Sequence, residues 1–277
     1  MMSRDIKELK AQATIIRRDI LEMVYNIRSG HLGGSFSMVE MLTALYFDEM
    51  RYHPAAPEDP ERDRFVLSKG HTAPALYATL ANAGFFPKEK LLTSFRRIDG
   101  MLQGHPDMKK TPGVEMTSGS LGIGLSAANG MALANRYQGH QGRVYCMIGD
   151  GELNEGQIWE AAATAAHYYL DNLTALIDVN GLQNDAETKN VKNMLDIRAK
   201  WEAFGWNTIE IDGHDFDAIF GAFDAARSHK GQPSAIIAHT VKGKGVSFME
   251  NVVAFHGKTP SEEEYRIGMK ELEEAAL

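Results

Sequence analysis

A 277-residue chain with one cysteine cannot form an internal disulfide. That residue, Cys146, lies in the apolar run VYCMI at 144–148, where a buried, inert thiol is expected, and a reducing, cytosolic setting is expected with it. Long hydrophobic runs are missing too. Nothing approaches the ~18 uninterrupted apolar residues of a membrane span. The N-terminus, MMSRDIKELKAQ, is charged throughout and has no apolar core of a signal peptide, so neither anchor nor export is expected. No basic stripe stands out: 37 Asp and Glu against 29 Lys and Arg give a net charge of −8, which argues against a nucleic-acid footprint. Small anions can still bind locally. There is no internal repeat, low-complexity tract or dividing linker, so residues 1–277 read as one domain.

What is present is an ordinary globular composition, 44% hydrophobic and 24% charged, with enough apolar residues for a sizeable core. Residues 6–28 carry apolar side chains at helical spacing until Ser29-Gly30 interrupts them and delivers the chain to His31. A second helix is expected over 37–50, opened by a capping box of Ser37 and Glu40. Pro54, Pro57 and Pro60 then force a loop. The short runs 65–67, 144–148, 174–179, 208–211 and 235–238 read as buried strands. Helical patterns at 74–83, 120–137, 158–170, 194–204 and 216–228 alternate with them. That alternation predicts an α/β fold with a mostly parallel sheet covered by helices on both faces. The Glu-rich segment 260–277 reads as a last amphipathic surface helix, with a docking segment or a linker remnant as alternatives.

The chemistry concentrates where strand 144–148 runs into Gly149-Asp150-Gly151 and where, thirty residues after Asp150, strand 174–179 ends at Asn180-Gly181. Ligands of open α/β sheets bind outside the carboxyl ends of strands, and helix N-termini there favour phosphates. Asp150 offers a carboxylate oxygen and Asn180 an amide oxygen, both hard ligands suited to Mg2+, and the flanking glycines let backbone approach a diphosphate. Diphosphate oxygens, a water and the carbonyl of Leu182 would complete the shell. Taken alone, GDG reads better as a tight turn. The spacing to Asn180 changes that balance, as does Glu155-Gly156 at the start of the intervening helix, with Glu160 five residues on. Lys242 and Lys244 in KGKG are either exposed loop charges or, for Lys242 above all, a contact near the phosphates.

GDGELNEG followed by IDVNGLQND resembles the thiamine diphosphate motif, and the rest of the chain is similar to the N-terminal half of a transketolase. The resemblance extends through SGHLGGSFS around His31, DRFVLSKGHTAPALYATLA around His71, LQGHPD around His105 and TSGSLGIGLSAANGMA around Leu121. It continues through IDGHDFDAI around Asp212 and VKGKGVSFMENVVAFHGK around His256. These segments stand in family order from about residue 10 to 260. The resemblance implies a thiamine diphosphate-binding fold of the diphosphate-holding type, with Mg2+ held by Asp150, Asn180 and the Leu182 carbonyl, and Ca2+ or Mn2+ as substitutes. It places Gly119, Leu121, Gly151, Glu155, Asn180 and Lys242 at the cofactor. His71 would sit beside the diphosphate and the donor substrate. His31, His105 and His256 would surround the reacting carbon and the sugar hydroxyls, with His256 taking the C3 hydroxyl proton and the other two stabilising oxygens.

A cluster of imidazoles suits ketol transfer, because protons move on and off sugar hydroxyls near neutral pH. The other histidines, His53, His140, His167, His214, His229 and His239, read as surface or structural, with capping sufficient to explain GHDF. The family's pyrimidine-binding half has no counterpart here, so the resemblance implies a split transketolase. Its second subunit would bind the pyrimidine ring, two copies of each would form a heterotetramer, and the substrates would be a sugar phosphate or other ketose and an aldose. Glu155 and Glu160 are candidates for contacts between the subunits, or simply an acidic helix start. Leu32 in GHLGG departs from the family's usual proline and resembles 1-deoxyxylulose-5-phosphate synthases, which keeps a synthase-like enzyme open, as does a non-catalytic docking module of the same fold. A nicotinamide-dependent dehydrogenase would need a glycine fingerprint after an early strand, and none is present.

Overall fold

The computed structural model describes residues 5–275; the start of the charged N-terminus, 1–4, and the last two residues of the expected tail lie outside the described residues. Five strands, β1 Arg64–Leu67, β2 Val144–Gly149, β3 Leu173–Val179, β4 Asn207–Asp212 and β5 Ser234–His239, form one all-parallel sheet in the order β1-β2-β3-β5-β4. Each is an expected run lengthened by one or two residues. Alternate residues of β2 serve opposite faces: Tyr145 and Met147 join one apolar cluster, while Val144, Cys146 and Ile148 join the other. A strand buried on both sides has no polar alternation, which is why these runs are continuously apolar. β4, at the edge, is only partly covered.

Helices Ile6–Ile27, Val39–Ala44, Ala73–Asn82 and Phe216–Ser228 cover the first face; Ile123–Gln138, Gly156–His167 and Ile197–Ala203 cover the second. The helix Ile6–Ile27 buries Ile16, Ile20, Leu21, Met23 and Val24 completely, each stabilising the fold by roughly 1.5–3 kcal/mol. Asp5 caps its start by accepting from the amides of Lys7 and Glu8. The helix Glu262–Glu274 packs against it, opened by a true capping box of Ser261 and Glu264, with Tyr265 stacked on Tyr25. Among the described residues, no helix is long and apolar enough to cross a membrane.

The expected helix over 37–50 needs correction. The chain instead forms Gly33–Phe36, then Val39–Ala44, then a wide π-turn at Leu45–Glu49. Ser37 has helical φ and ψ and closes the Gly33–Phe36 helix instead of opening one; its hydroxyl donates to Asp178 Oδ2 at 2.6 Å and stands 3.1 Å from Gly34 O. Glu40 is taken by Arg17 and His214. Long-range partners have outcompeted the local box.

Register then places the chemistry. Gly149 of β2 lies beside Asp178 of β3, and Val179 lies beside His239 of β5. The residues that follow, Asp150, Asn180 and 240–242, therefore emerge side by side at the carboxyl edge, with 68–71 leaving β1 on the other flank.

Candidate active site

Asp150 is 3% exposed, and both carboxylate oxygens are fixed by backbone: Gly151 N–H donates to Oδ1 at 2.7 Å and Gly181 N–H to Oδ2 at 2.6 Å. This joins the β2 and β3 loops. The approach is close: a Cβ on Gly151 would stand 2.9 Å from Gln183 Cγ. Burial, with the nearby Asp178 carboxylate, pushes Asp150 up to about 6. The two backbone N–H bonds and the Lys69 ammonium offset this only in part. Asn180 donates from Nδ2 to Asp178 Oδ2 at 3.1 Å and accepts from Leu182 N–H at 3.1 Å. The Leu182 carbonyl accepts from Lys242 Nζ at 2.9 Å.

Three groups behind this rim were not read from sequence. Asp178, fully buried in β3, accepts from Lys69 Nζ, Ser37 Oγ, Thr240 Oγ1 and Asn180 Nδ2. Burial alone would raise its pKa; the Lys69 ammonium and the hydrogen bonds outweigh that and hold it below the ordinary carboxylate value. Glu152 is also buried and accepts from Gly122 N–H at 2.8 Å, Gly149 N–H at 3.1 Å and Ser68 Oγ. It ties together the loops after β1 and β2 and the start of helix Ile123–Gln138. An acidic residue inside an apolar strand, as in TALIDV, was the available signal, because such a carboxylate demands a cation.

A cavity of about 520 Å³ opens on this edge, lined among others by His31, His71, His105, Gly119, Leu121, Asp150, Gly151, Glu155, Asn180, Leu182, Lys242 and His256. Every site residue expected from sequence lies on it. The rings of His31, His71 and His256 form a triangle with centroids 5.2, 5.2 and 5.4 Å apart. Burial pulls them down, His31 to about 4, His256 to about 3 and His71 to about 2, with Arg96 next for His31, Lys242 for His256 and Lys69 for His71. His105 is lowered likewise, by burial and Arg96. All four are neutral near pH 7, able to accept a proton and to donate a hydrogen bond. Lys242, 2% exposed, reaches His256 Nδ1 at 2.9 Å; burial draws it down to about 8 although Asp150 supports its charge.

Outside the cavity, Lys244 turns to Glu250, His140 pairs with Glu61, His239 with Glu210, and His229 with Gln232. In GHDF the cap is Asp215, which accepts from Asp217 N–H; His214 is turned inward. Glu160 is exposed on its helix. Among the described residues, no group of three or more His, Cys, Asp or Glu side chains is placed to hold a metal unaided.

A parallel sheet whose neighbouring strand tips gather a carboxylate, an amide and an ammonium beneath a histidine-walled cavity defines an α/β domain that takes a phosphate-bearing cofactor. The family described as transketolase, thiamine diphosphate binding domain, matches residues 9–272, and the chain belongs to it. The 6-deoxy-6-sulfo-D-fructose transketolase subunit SqwG of Clostridium sp. (strain MSTE9) is 47% identical over 272 residues, which is 98% of each chain. One of the subunits of the apulose-4-phosphate transketolase of Phocaeicola vulgatus is 40% identical, over 97% of this chain and 95% of its own. The crystal structure of transketolase from Campylobacter jejuni superposes with a TM-score of 0.91 at 30% identity, over 98% of this chain and 43% of that one. The chain is thus matched end to end by transketolase subunits and spans under half of a single-chain transketolase.

Proposed function

We propose that this chain is the N-terminal, diphosphate-binding subunit of a split transketolase, which moves a two-carbon ketol unit from a ketose phosphate to an aldose only when joined to a separate pyrimidine-binding subunit, two copies of each. The observation that carries the reading is the end-to-end match to transketolase subunits, in a chain whose cavity gathers all the expected cofactor-side groups. Glu155, on the cavity lining, is exposed, as is Ile123 (43%) two residues after the lining Leu121, which suits completion by another polypeptide. We read residues 1–277 as one domain, with 260–277 as a surface helix or tail that includes the helix Glu262–Glu274. With its lone thiol, the chain belongs in a reducing cytosol.

The residues fit a divalent cation and a diphosphate. The buried Asp150 carboxylate, raised by burial and Asp178, is only partly balanced by Lys69 and Lys242, and Asn180 and the Leu182 carbonyl supply neutral oxygens beside it. Asp150, Asn180 and Leu182 would hold Mg2+, with Ca2+ or Mn2+ as substitutes; Gly119, Leu121, Gly151, Glu155, Lys242 and His71 would border the cofactor. Thiamine diphosphate, when bound, supplies the electron sink that ketol transfer requires. The protein positions and manages protons. His256 lines the cavity with Nδ1 2.9 Å from Lys242 Nζ, and it is the group that would take the C3 hydroxyl proton of the donor. His31 and His105, held neutral, hydrogen-bond the remaining oxygens.

The test is reconstitution with a candidate pyrimidine-binding subunit, using several ketose donors. The chain alone should show little or no ketol transfer, the mixture should show it, and Asp150→Ala should abolish magnesium-dependent cofactor uptake. Robust turnover by the isolated chain, or unchanged uptake by Asp150→Ala, overturns the reading.

A further inference from the structure

His214, in the GHDF segment after β4, lies outside the cavity yet grips the loop that enters it. Asp212 of β4 is in register with His239 of β5. Continuing both chains by two residues sets His214 beside Val241, and the imidazole closes the gap. Val241 N–H donates to His214 Nε2 at 2.8 Å, and His214 Nδ1 stands 2.9 Å from Glu40 Oε2. A backbone N–H can only donate, so Nε2 offers a lone pair and the ring proton is on Nδ1, facing the carboxylate. Glu40 is itself clamped by the Arg17 fork at 2.6 and 2.7 Å, and Arg17 also donates to Phe36 O at 3.1 Å. The side chains of Arg17, Glu40 and His214 are 7, 10 and 12% exposed, so water competes little for these bonds. The backbones are in contact as well: Gly213 N–H donates to His239 O at 2.8 Å.

The residue after Val241 is Lys242. Its far flank is fixed by Gly243 N–H donating to Gly33 O at 3.0 Å and by Asn251 N–H donating to Lys242 O at 2.9 Å. Its near flank is fixed at Thr240, by Asp178 and Val179, and then at Val241 by His214. We propose that His214 is a positioning residue: through the Val241 amide it sets the backbone from which Lys242 reaches the cofactor side of the cavity. The buried Arg17–Glu40 pair holds His214 and, through Phe36 O, the Gly33–Phe36 segment on the opposite side of Lys242. One charge-assisted chain of bonds therefore sets both walls around that lysine.

The test rests, in part, on the reading that the chain takes up thiamine diphosphate with its partner. Asparagine reaches about as far as Nδ1 and leaves Val241 without an acceptor; glutamine carries an oxygen about as far as Nε2. In the reconstituted pair, titrated calorimetrically with thiamine diphosphate and Mg2+, His214→Asn should raise Kd about tenfold and His214→Gln should stay within about threefold. In a Lys242→Met background, adding His214→Asn should change Kd by less than about twofold, because its effect runs through Lys242. In the isolated chain, hydrogen exchange at the Val241 amide should quicken in His214→Asn and not in His214→Gln. Wild-type Kd with slow exchange in His214→Asn overturns the proposal, as does an equal penalty with and without Lys242. If the wild-type pair takes up no cofactor, the functional reading falls, while Val241 exchange still decides the positioning claim. Should His214→Gln not fold, the Lys242 cycle decides alone.

Discussion

Consider Lys69→Met. The ammonium of Lys69 is 3% exposed and the Asp178 carboxylate 0%, so neither can turn to water when its partner goes. Breaking such a pair from one side costs about 3–5 kcal/mol. Asp178 would keep three neutral donors, Ser37 Oγ at 2.6 Å, Asn180 Nδ2 at 3.1 Å and Thr240 Oγ1, each contributing about 1 kcal/mol net, which puts Lys69→Met near the lower bound. Asp178→Asn is the harsher change, because the buried ammonium then keeps only neutral acceptors, Gly34 O at 3.1 Å and the substituted amide's oxygen; it belongs near the upper bound. At roughly 2–4 °C per kcal/mol, Tm should fall by about 6–12 °C and about 10–20 °C respectively. The double variant removes both charges, so its cost should undercut the sum of the singles by at least about 2 kcal/mol. Urea unfolding of the isolated chain, followed by circular dichroism, supplies the four free energies. Additive costs, a Lys69→Met penalty under about 1 kcal/mol, or a milder Asp178→Asn would refute the reasoning.

Two glycines of one helix, Ile123–Gln138, should respond oppositely in the isolated chain. Gly124→Ala would put its Cβ 2.4 Å from Ser68 Cβ and 2.6 Å from Ser68 Cα, and should lower stability by about 1–3 kcal/mol, whereas Gly130→Ala meets nothing within 4 Å and should raise it by about 1 kcal/mol; thermal melts decide. The isolated chain should also lose stability in mild acid. His31, His71 and His256 all have folded pKa values below 6.5, so the unfolded state binds protons first, and stability falls as pH drops from about 6.5 towards the folded values. Urea midpoints between pH 7 and 5 should track that fall, and His71→Gln should make it shallower; a flat profile would contradict the pKa directions.

All five strands and the longer helices between them were readable because burial on two faces writes itself as short continuous apolar runs, and helices write theirs at a spacing of three or four. The pairing of Asp150 with Asn180 was readable for the same reason: consecutive parallel strands bring their carboxyl ends together. The Ser37–Glu40 box was misread because a local motif cannot reveal that Asp178, 141 positions on, and Arg17, 23 positions back, claim its side chains. Lys69, Glu152 and His214 stayed obscure on similar grounds, since each owes its role to a neighbour across the sheet edge. The short helices Lys90–Ser94 and Thr188–Lys192 span too few residues to show a period.

Each ring of the His31, His71 and His256 triangle is a neighbour of both others. Two unit charges at that spacing repel by about 3 kcal/mol at an effective dielectric constant of 20, enough to move a second protonation by about two pH units. Lys242, 2.9 Å from His256, presses in the same direction. A second proton on the trio is therefore disfavoured well beyond the first. Protonating any one imidazole lowers the basicity of the other two, so the three titrate as one coupled group rather than as independent sites.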